Sequence, residues 1–78
     1  MDLKAQLASI LEEAPERLGD ERTLRDIPTW DSMTHMVLVS RLEQYYQVEF
    51  SGDEIADFQT IGDIRQALRK RGKSQDDL

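Results

Sequence analysis

Residues 30–47, WDSMTHMVLVSRLEQYYQ, mark the point where an irregular stretch gives way to an amphipathic helix. At 100° per residue, one group of apolar side chains falls within about 60° of Leu42. This group consists of Leu38, Val39, Leu42, Tyr45 and Tyr46. The pattern predicts a helix over residues 32–47 that packs these five side chains into a core.

The other side of the same predicted helix is also apolar. Met33, Met36 and Val37 fall there, together with Ser40 and Gln44. Two interpretations stay open at this point. Either the preceding loop folds over Met33 and Met36, or the three apolar side chains form a docking patch, for which flexible methionines are well suited.

The sequence before residue 30 predicts one helix and one long loop. Asp2 is a candidate N-cap for a helix that runs to about Ala14, before Pro15. The apolar stripe of this helix consists of Leu3, Leu7, Ile10, Leu11 and Ala14. Residues 16–31 have no sustained period, and we expect a loop anchored by Leu18, Leu24, Ile27 and Trp30. A loop of this length usually serves a function, which favours a site at its end.

Two capping boxes predict the remaining helices. Ser51 and Glu54 have the spacing of such a box and open a short helix that ends near Phe58. Thr60 and Asp63 repeat the spacing at the start of a last helix. The apolar face of that helix consists of Ile61, Ile64, Ala67 and Leu68.

Together these elements predict an all-α fold, a four-helix bundle with three main helices and a short third helix. The 78 residues are enough for one domain, which we place at residues 1–72, ending at Gly72, with a flexible tail at 73–78. The chain has no cysteine and one histidine, so we expect neither a disulfide nor a metal site.

The charge distribution bears on the partners of the chain. The net charge is −6, and residues 32–64 hold six acids against one base. Such a surface disfavours nucleic acid and favours enzymes with basic patches. The basic run from Arg65 to Lys73 lies where cations offset a helix dipole. We find no signal peptide and no apolar run long enough for membrane insertion, and therefore expect a cytoplasmic protein.

The order of these features resembles the acyl carrier protein family over nearly the whole chain. The resemblance rests on a long first helix, a long loop and three short matches: Asp31-Ser32-Met33, Tyr46 with Val48, and Thr60-Ile61-Gly62-Asp63. It implies that the Ser32 hydroxyl receives a 4'-phosphopantetheine arm from coenzyme A, through a Mg²⁺-dependent phosphopantetheinyl transferase. The arm would hold acyl groups as thioesters for the enzymes that load and transfer them.

The resemblance also implies roles for the neighbours of Ser32. Asp31 would either cap the helix or help the transferase and its metal to recognise the site. Met33, Met36, Val37 and Glu43 would dock partner enzymes. The chain itself would be a non-catalytic carrier, and a shuttle of this kind is expected to be a monomer.

Departures from the family pattern indicate which kind of biosynthetic pathway the chain would serve. Trp30 before the aspartate resembles free-standing carriers of specialised pathways, such as polyketide biosynthesis, and the Gly-Gly-X-Ser pattern of peptidyl carriers is missing. Carriers of primary fatty-acid synthesis place acids where this chain has Thr34 and Val37, and only Glu43 of their cluster is kept. We therefore expect partners outside fatty-acid synthesis.

Two other functions are possible for the same residues. Ser32 and His35 are three residues apart and could share a helix face, which raises the alternative of a small serine hydrolase, but no Gly-X-Ser-X-Gly elbow accompanies them. His35 is more simply a partly buried side chain at the edge of the core. The second alternative is an unmodified interaction module that docks through Met33, Met36 and Val37.

Overall fold

A computed structural model describes residues 3–73, and its regular structure is helical. The α-helices of this part of the chain are α1 (Leu3–Leu11), α2 (Ser32–Tyr46), α3 (Gly52–Asp57) and α4 (Ile61–Lys70). Two 3-10 turns, Pro15–Arg17 and Leu24–Asp26, interrupt the long loop between α1 and α2. The predicted all-α architecture with a short third helix is confirmed.

The core draws on α1, α2, α4, the long loop and the segments on either side of α3. Its buried apolar side chains are Leu3, Leu7, Leu11, Leu18, Leu24, Ile27, Leu38, Val39, Leu42, Tyr46, Phe50, Phe58, Ile61, Ile64, Ala67 and Leu68. The loop contributes Leu18, Leu24 and Ile27, as the sequence predicts. The loop is therefore part of the folded core, and its end at Trp30 is held in a defined place.

Helix α1 ends three residues earlier than the sequence predicts. Glu12 lies in the left-handed region with a φ of 54°, and the N–H of Glu13 donates to the carbonyl of Ala8 at 3.2 Å. This bond closes the helix at Leu11 and leaves Ala14 exposed. The prediction that Ala14 belongs to the helix and its buried stripe is wrong. The predicted N-cap, Asp2, lies outside the described residues.

Both predicted capping boxes are present. In the first, Ser51 N–H donates to Glu54 at 3.0 Å and Glu54 N–H donates to Ser51 Oγ at 3.1 Å. In the second, Thr60 N–H donates to Asp63 at 3.1 Å and Asp63 N–H donates to Thr60 Oγ1 at 3.2 Å. The short α3 and the start of α4 are thus fixed by local sequence.

Helix α4 ends just before Gly72, as the sequence predicts. Gly72 has a φ of 84° and donates to the carbonyl of Arg69 at 3.0 Å. Lys73 N–H donates to the carbonyl of Leu68 at 3.2 Å, which completes a Schellman motif. Of the predicted flexible tail, residues 74–78 lie outside the described residues, so the tail stays a prediction.

The basic run of α4 does more than offset a dipole. The Arg71 guanidinium forms an ion pair with Glu54, donates to the carbonyl of Glu49 at 3.0 Å and lies 5.0 Å from the ring centroid of Phe50. Arg65 pairs with Asp20 of the long loop at 2.8 Å. These two arginines therefore attach α4 to α3 and to the loop.

Backbone hydrogen bonds attach the same loop to the start of α4. Leu24 N–H donates to Gln59 at 2.8 Å, and Ile61 N–H donates to Arg22 at 3.1 Å. Gly62 N–H donates to the carbonyl of Asp20 at 2.8 Å, and a Cβ at residue 62 would lie only 3.0 Å from that oxygen. This close approach explains the glycine in the first turn of α4.

Candidate functional site

Ser32 is the first residue of α2, and its side chain is exposed. Asp31 precedes it in an extended conformation, and its carboxylate accepts a hydrogen bond from Thr34 N–H at 2.7 Å. Asp31 is therefore the N-cap of α2. The hydroxyl that the resemblance singles out lies at the positive end of a fifteen-residue helix.

The cap also keeps Asp31 ionised. The hydrogen bond from the Thr34 backbone lowers the pKa of the Asp31 carboxyl, because this bond favours the charged form. A fixed anion therefore lies beside the Ser32 hydroxyl at neutral pH.

Two threonines tie the start of α2 to the end of α1. Thr34 Oγ1 donates to the carbonyl of Thr29 at 3.0 Å, and Thr29 Oγ1 donates to the carbonyl of Leu11 at 2.6 Å. These bonds hold residues 29–34 against the body of the protein. Ser32 is consequently presented from a braced turn, which the sequence analysis did not identify.

His35 contacts the loop and α3. Its ring lies 5.1 Å from that of Trp30, centroid to centroid, and its Nε2 lies 3.0 Å from the carbonyl oxygen of Ile55. Because a carbonyl can only accept, Nε2 carries the proton and donates it. His35 is half-buried, as expected, and this nitrogen is committed to α3, which disfavours the hydrolase alternative.

A cavity of about 380 Å³ lies next to this histidine. It is bounded by the long loop, α2 and the α3 region, and its lining consists of Thr23, Leu24, Arg25, Trp30, His35, Ala56, Phe58 and Gln59. The sequence analysis missed this cavity, although it identified Trp30 as a loop anchor. The signal is weak, because residues distant in sequence line it.

The apolar side of α2 is open to solvent. Met33, Met36 and Val37 are 75%, 61% and 41% exposed, so the interpretation that the loop folds over the methionines is wrong. These side chains line a shallow groove along α2 with Ser40, Arg41 and Gln44. We call this surface the α2 groove. Arg41 is a member that the sequence analysis did not consider.

The burial of two other α2 side chains differs from what their predicted roles suggest. Tyr45, predicted to be in the core, is 50% exposed, because it lies at the margin of the buried arc and packs edge-on against Tyr46. Glu43 is half-buried and accepts a hydrogen bond from Phe50 N–H at 2.8 Å. The docking role of Glu43 stays a prediction.

Residues 3–73 contain no group of three or more histidine, cysteine or acidic side chains placed to hold a metal ion. Within the same residues, no helix combines the length and the apolar character needed to cross a membrane.

Comparison with known proteins agrees with this geometry. The family model described as the phosphopantetheine attachment site matches residues 2–68. The chain belongs to the phosphopantetheine-binding acyl carrier protein family. No curated protein sequence matches the chain significantly.

Solved structures of carriers share the fold. A holo acyl carrier protein from Geobacter metallireducens is 27% identical, with a TM-score of 0.74, and the match covers 90% of this carrier and 85% of that chain. A provisionally assigned acyl carrier protein from Mycobacterium tuberculosis has 21% identity and a TM-score of 0.77, over 86% of this carrier and 89% of that chain. The second likeness shows the fold alone.

Membership gives the cofactor of this carrier, a covalently attached 4'-phosphopantetheine. The residues at the start of α2 fit this group. Ser32 offers an exposed hydroxyl, and the helix end beside it favours the negative charge of a phosphodiester. Carriers of this family are generally non-catalytic.

Proposed function

We propose that this carrier holds acyl intermediates on a 4'-phosphopantetheine arm attached to Ser32, in polyketide-type or other specialised biosynthesis. It would work in the cytoplasm as a monomer. The observation that carries the proposal is the position of Ser32, which is exposed at the first residue of α2 and braced by the bonds of Thr29 and Thr34. The arm supplies a terminal thiol, which holds the cargo as a thioester.

Attachment of the arm requires only one group from this chain. The Ser32 oxygen would form a bond to the phosphorus that carries the pantetheine in coenzyme A, and adenosine 3',5'-bisphosphate would leave. The hydroxyl proton would pass to a base of the transferase. The positive end of the α2 dipole would then lie beside the new phosphodiester.

Asp31 has two possible contributions to this step. Its carboxylate caps α2 through Thr34 N–H, which keeps the serine in place. Its negative charge could also help the transferase and its Mg²⁺ to recognise the site, because Mg²⁺ prefers carboxylate oxygens. The two contributions are separable by substitution, as described in the Discussion.

The proposed pathway follows from the surface of α2. Met33, Met36 and Val37 would meet the loading and transferring enzymes, with Glu43 at the edge of the contact. The apolar character of this surface supports partners other than the fatty-acid synthesis enzymes. Acylation by a housekeeping fatty-acid transacylase should therefore be inefficient beside that pathway's own carrier, and equal efficiency would contradict the pathway proposal.

The exposed patch also fits the second candidate, an interaction module that needs no modification. The intact mass of the purified chain separates the two candidates. Incubation with coenzyme A, Mg²⁺ and a broad-specificity phosphopantetheinyl transferase should add one phosphopantetheinyl unit. Ser32→Ala should gain nothing, whereas Ser40→Ala, which removes another exposed α2 hydroxyl, should be modified normally. Unmodified parent protein with several transferases would leave the interaction module as the better proposal.

A further inference from the structure

The exposed charge on α2 is positive, although the middle of the chain is acidic. Arg41 is the one lysine or arginine of this helix, and Glu43 is its one aspartate or glutamate. Arg41 is exposed and forms no ion pair with another described residue, whereas Glu43 accepts a bond from Phe50 N–H. The remaining acids of residues 32–64 follow α2 and are Glu49, Asp53, Glu54, Asp57 and Asp63. The α2 groove is therefore not itself an acidic surface.

Arg41 lies in the half of the α2 groove that is distant from Ser32. Met33, Val37 and Arg41 succeed one another at intervals of four residues, so they form one row along the helix. Met36, Ser40 and Gln44 form the neighbouring row. The groove thus begins with apolar side chains next to Ser32 and has a cation about 12 Å further along the helix axis.

A second observation places another donor next to Arg41. Gln6 of α1 is only 8% exposed, and its Nε2 has no hydrogen-bond partner among the described residues. Gln6 and Arg41 line one shallow recess together with Gln44 and Tyr45. A buried amide without a partner is costly. Because Nε2 is shielded from solvent, the Gln6 side chain would turn into the recess on docking, where one carboxylate can accept from both the amide and the Arg41 guanidinium.

We propose that the α2 groove docks an amphipathic segment of a partner enzyme that presents apolar side chains to Met33, Met36 and Val37 and a carboxylate to Arg41 and Gln6. This inference rests on the proposed carrier function, since the groove begins beside the attachment residue. The partner surface is thus apolar with an acidic edge. That is the opposite of the basic patch that the overall charge of the chain favours.

Two synthetic amphipathic helices test this charge preference directly. They share one leucine face and carry either glutamate or lysine beside it, and each is titrated into the isotopically labelled chain at physiological ionic strength. We expect the glutamate helix to bind about three- to ten-fold more tightly. Chemical shifts should change along α2 and at the Gln6 side-chain amide. Because the net charge of the chain is −6, non-specific attraction would favour the lysine helix instead.

Substitutions assign the preference to its residues. Arg41→Glu should reverse the order of the two helices, whereas Arg69→Glu, the same charge change on an exposed residue of α4, should preserve it. Gln6→Met should weaken binding of the glutamate helix and leave binding of the lysine helix unchanged. The proposal is overturned if the lysine helix binds equally well or better, if neither helix binds, or if the chain instead associates with itself through α2.

The same samples keep this inference distinct from the proposed function. Arg41→Glu and parent protein are both incubated with coenzyme A and the transferase, and their intact masses are recorded. If the parent gains the arm but shows no preference for glutamate, the docking proposal fails and the carrier function stands. If the parent prefers the glutamate helix but never gains the arm, the surface is an interaction site on an unmodified protein.

Discussion

Helix α2 has two apolar faces, and they behave in opposite ways. Leu38, Val39, Leu42 and Tyr46 are at most 4% exposed and belong to the core, whereas Met33, Met36 and Val37 remain largely in water. Hydrophobicity alone does not distinguish the two groups. The difference lies in their surroundings, since the first group belongs to the buried core and the α2 groove is lined by residues of α2 itself.

With the docking role proposed above for the α2 groove, this contrast would separate stability from recognition within one helix. Burial of the first face contributes to folding, because apolar area is removed from water there. The second face contributes little to folding and is available to a partner. A carrier that meets several enzymes in turn needs such a face close to its attachment residue.

The largest expected difference between the two faces is in the free energy of unfolding when a side chain is removed from each. Leu42→Ala should lower the free energy of unfolding by about 3 kcal/mol, because it deletes a fully buried side chain and leaves a cavity. Met36→Ala should change the free energy of unfolding by less than about 0.5 kcal/mol, since its site is exposed. Urea denaturation followed by circular dichroism measures both. A cost of Met36→Ala similar to that of Leu42→Ala would mean that the groove is covered in solution.

The next effect concerns the turn where both faces of α2 begin. Asp31→Ala removes the cap at Thr34 N–H and should lower the free energy of unfolding by about 1 kcal/mol. Asp31→Asn should keep most of the stability, since asparagine caps about as well as aspartate. The charge is lost in both variants.

Rates of arm transfer to these two variants separate the roles of Asp31. If Asp31→Asn is modified as fast as the parent and Asp31→Ala is slower, the residue acts as a cap. If both variants are slow, its charge contributes to recognition by the transferase. Intact mass spectrometry of timed samples gives the rates, with Ser32→Ala as the blank.

Much of the fold could be predicted from sequence because its signals are local. The capping boxes at Ser51 and Thr60 form within four residues, and the apolar stripe of α4 follows the helical period. The start of α2 at Ser32 was predictable for the same reason. Attachment at that serine came from a resemblance to known carriers, which adds information beyond the physical pattern.

The features that could not be predicted from sequence depend on contacts between distant segments. Tyr45 lies within the apolar arc by helical geometry, yet it is 50% exposed, and Glu12 ends α1 without the glycine that usually marks such a turn. The recess that joins Gln6 to Arg41 brings together residues of α1 and α2 that are 35 positions apart. No local pattern encodes such a juxtaposition.

A substitution at that recess should change stability and binding in opposite directions. Gln6→Met replaces a buried amide that lacks a partner with an apolar side chain of similar shape. It should raise the free energy of unfolding by about 1 kcal/mol, while binding of the glutamate helix weakens. Gln44→Met, which alters an exposed amide of the same recess, should give no comparable gain in stability. A loss of stability in Gln6→Met would show that the amide has a partner in solution.

Acid gives the smallest effect, which acts on the ion pair between Glu54 of α3 and Arg71 at the end of α4. The bond from Arg71, followed by one from the Ser51 backbone, lowers the pKa of Glu54 from 4.5 to about 2. A lowered pKa stabilises the fold above the unfolded value, so this contribution is complete above about pH 4.5 and declines as the pH falls towards 2. The effect is modest because the Glu54 side chain is 23% exposed and the pair is partly screened by solvent.

Glu54→Gln should therefore be less stable than the parent at pH 7, and the difference between them should shrink towards pH 2 in urea denaturation. Asp57→Asn, at an exposed carboxylate of the same helix, serves as the control. A difference between Glu54→Gln and the parent that stays constant with pH would contradict the proposed pair with Arg71.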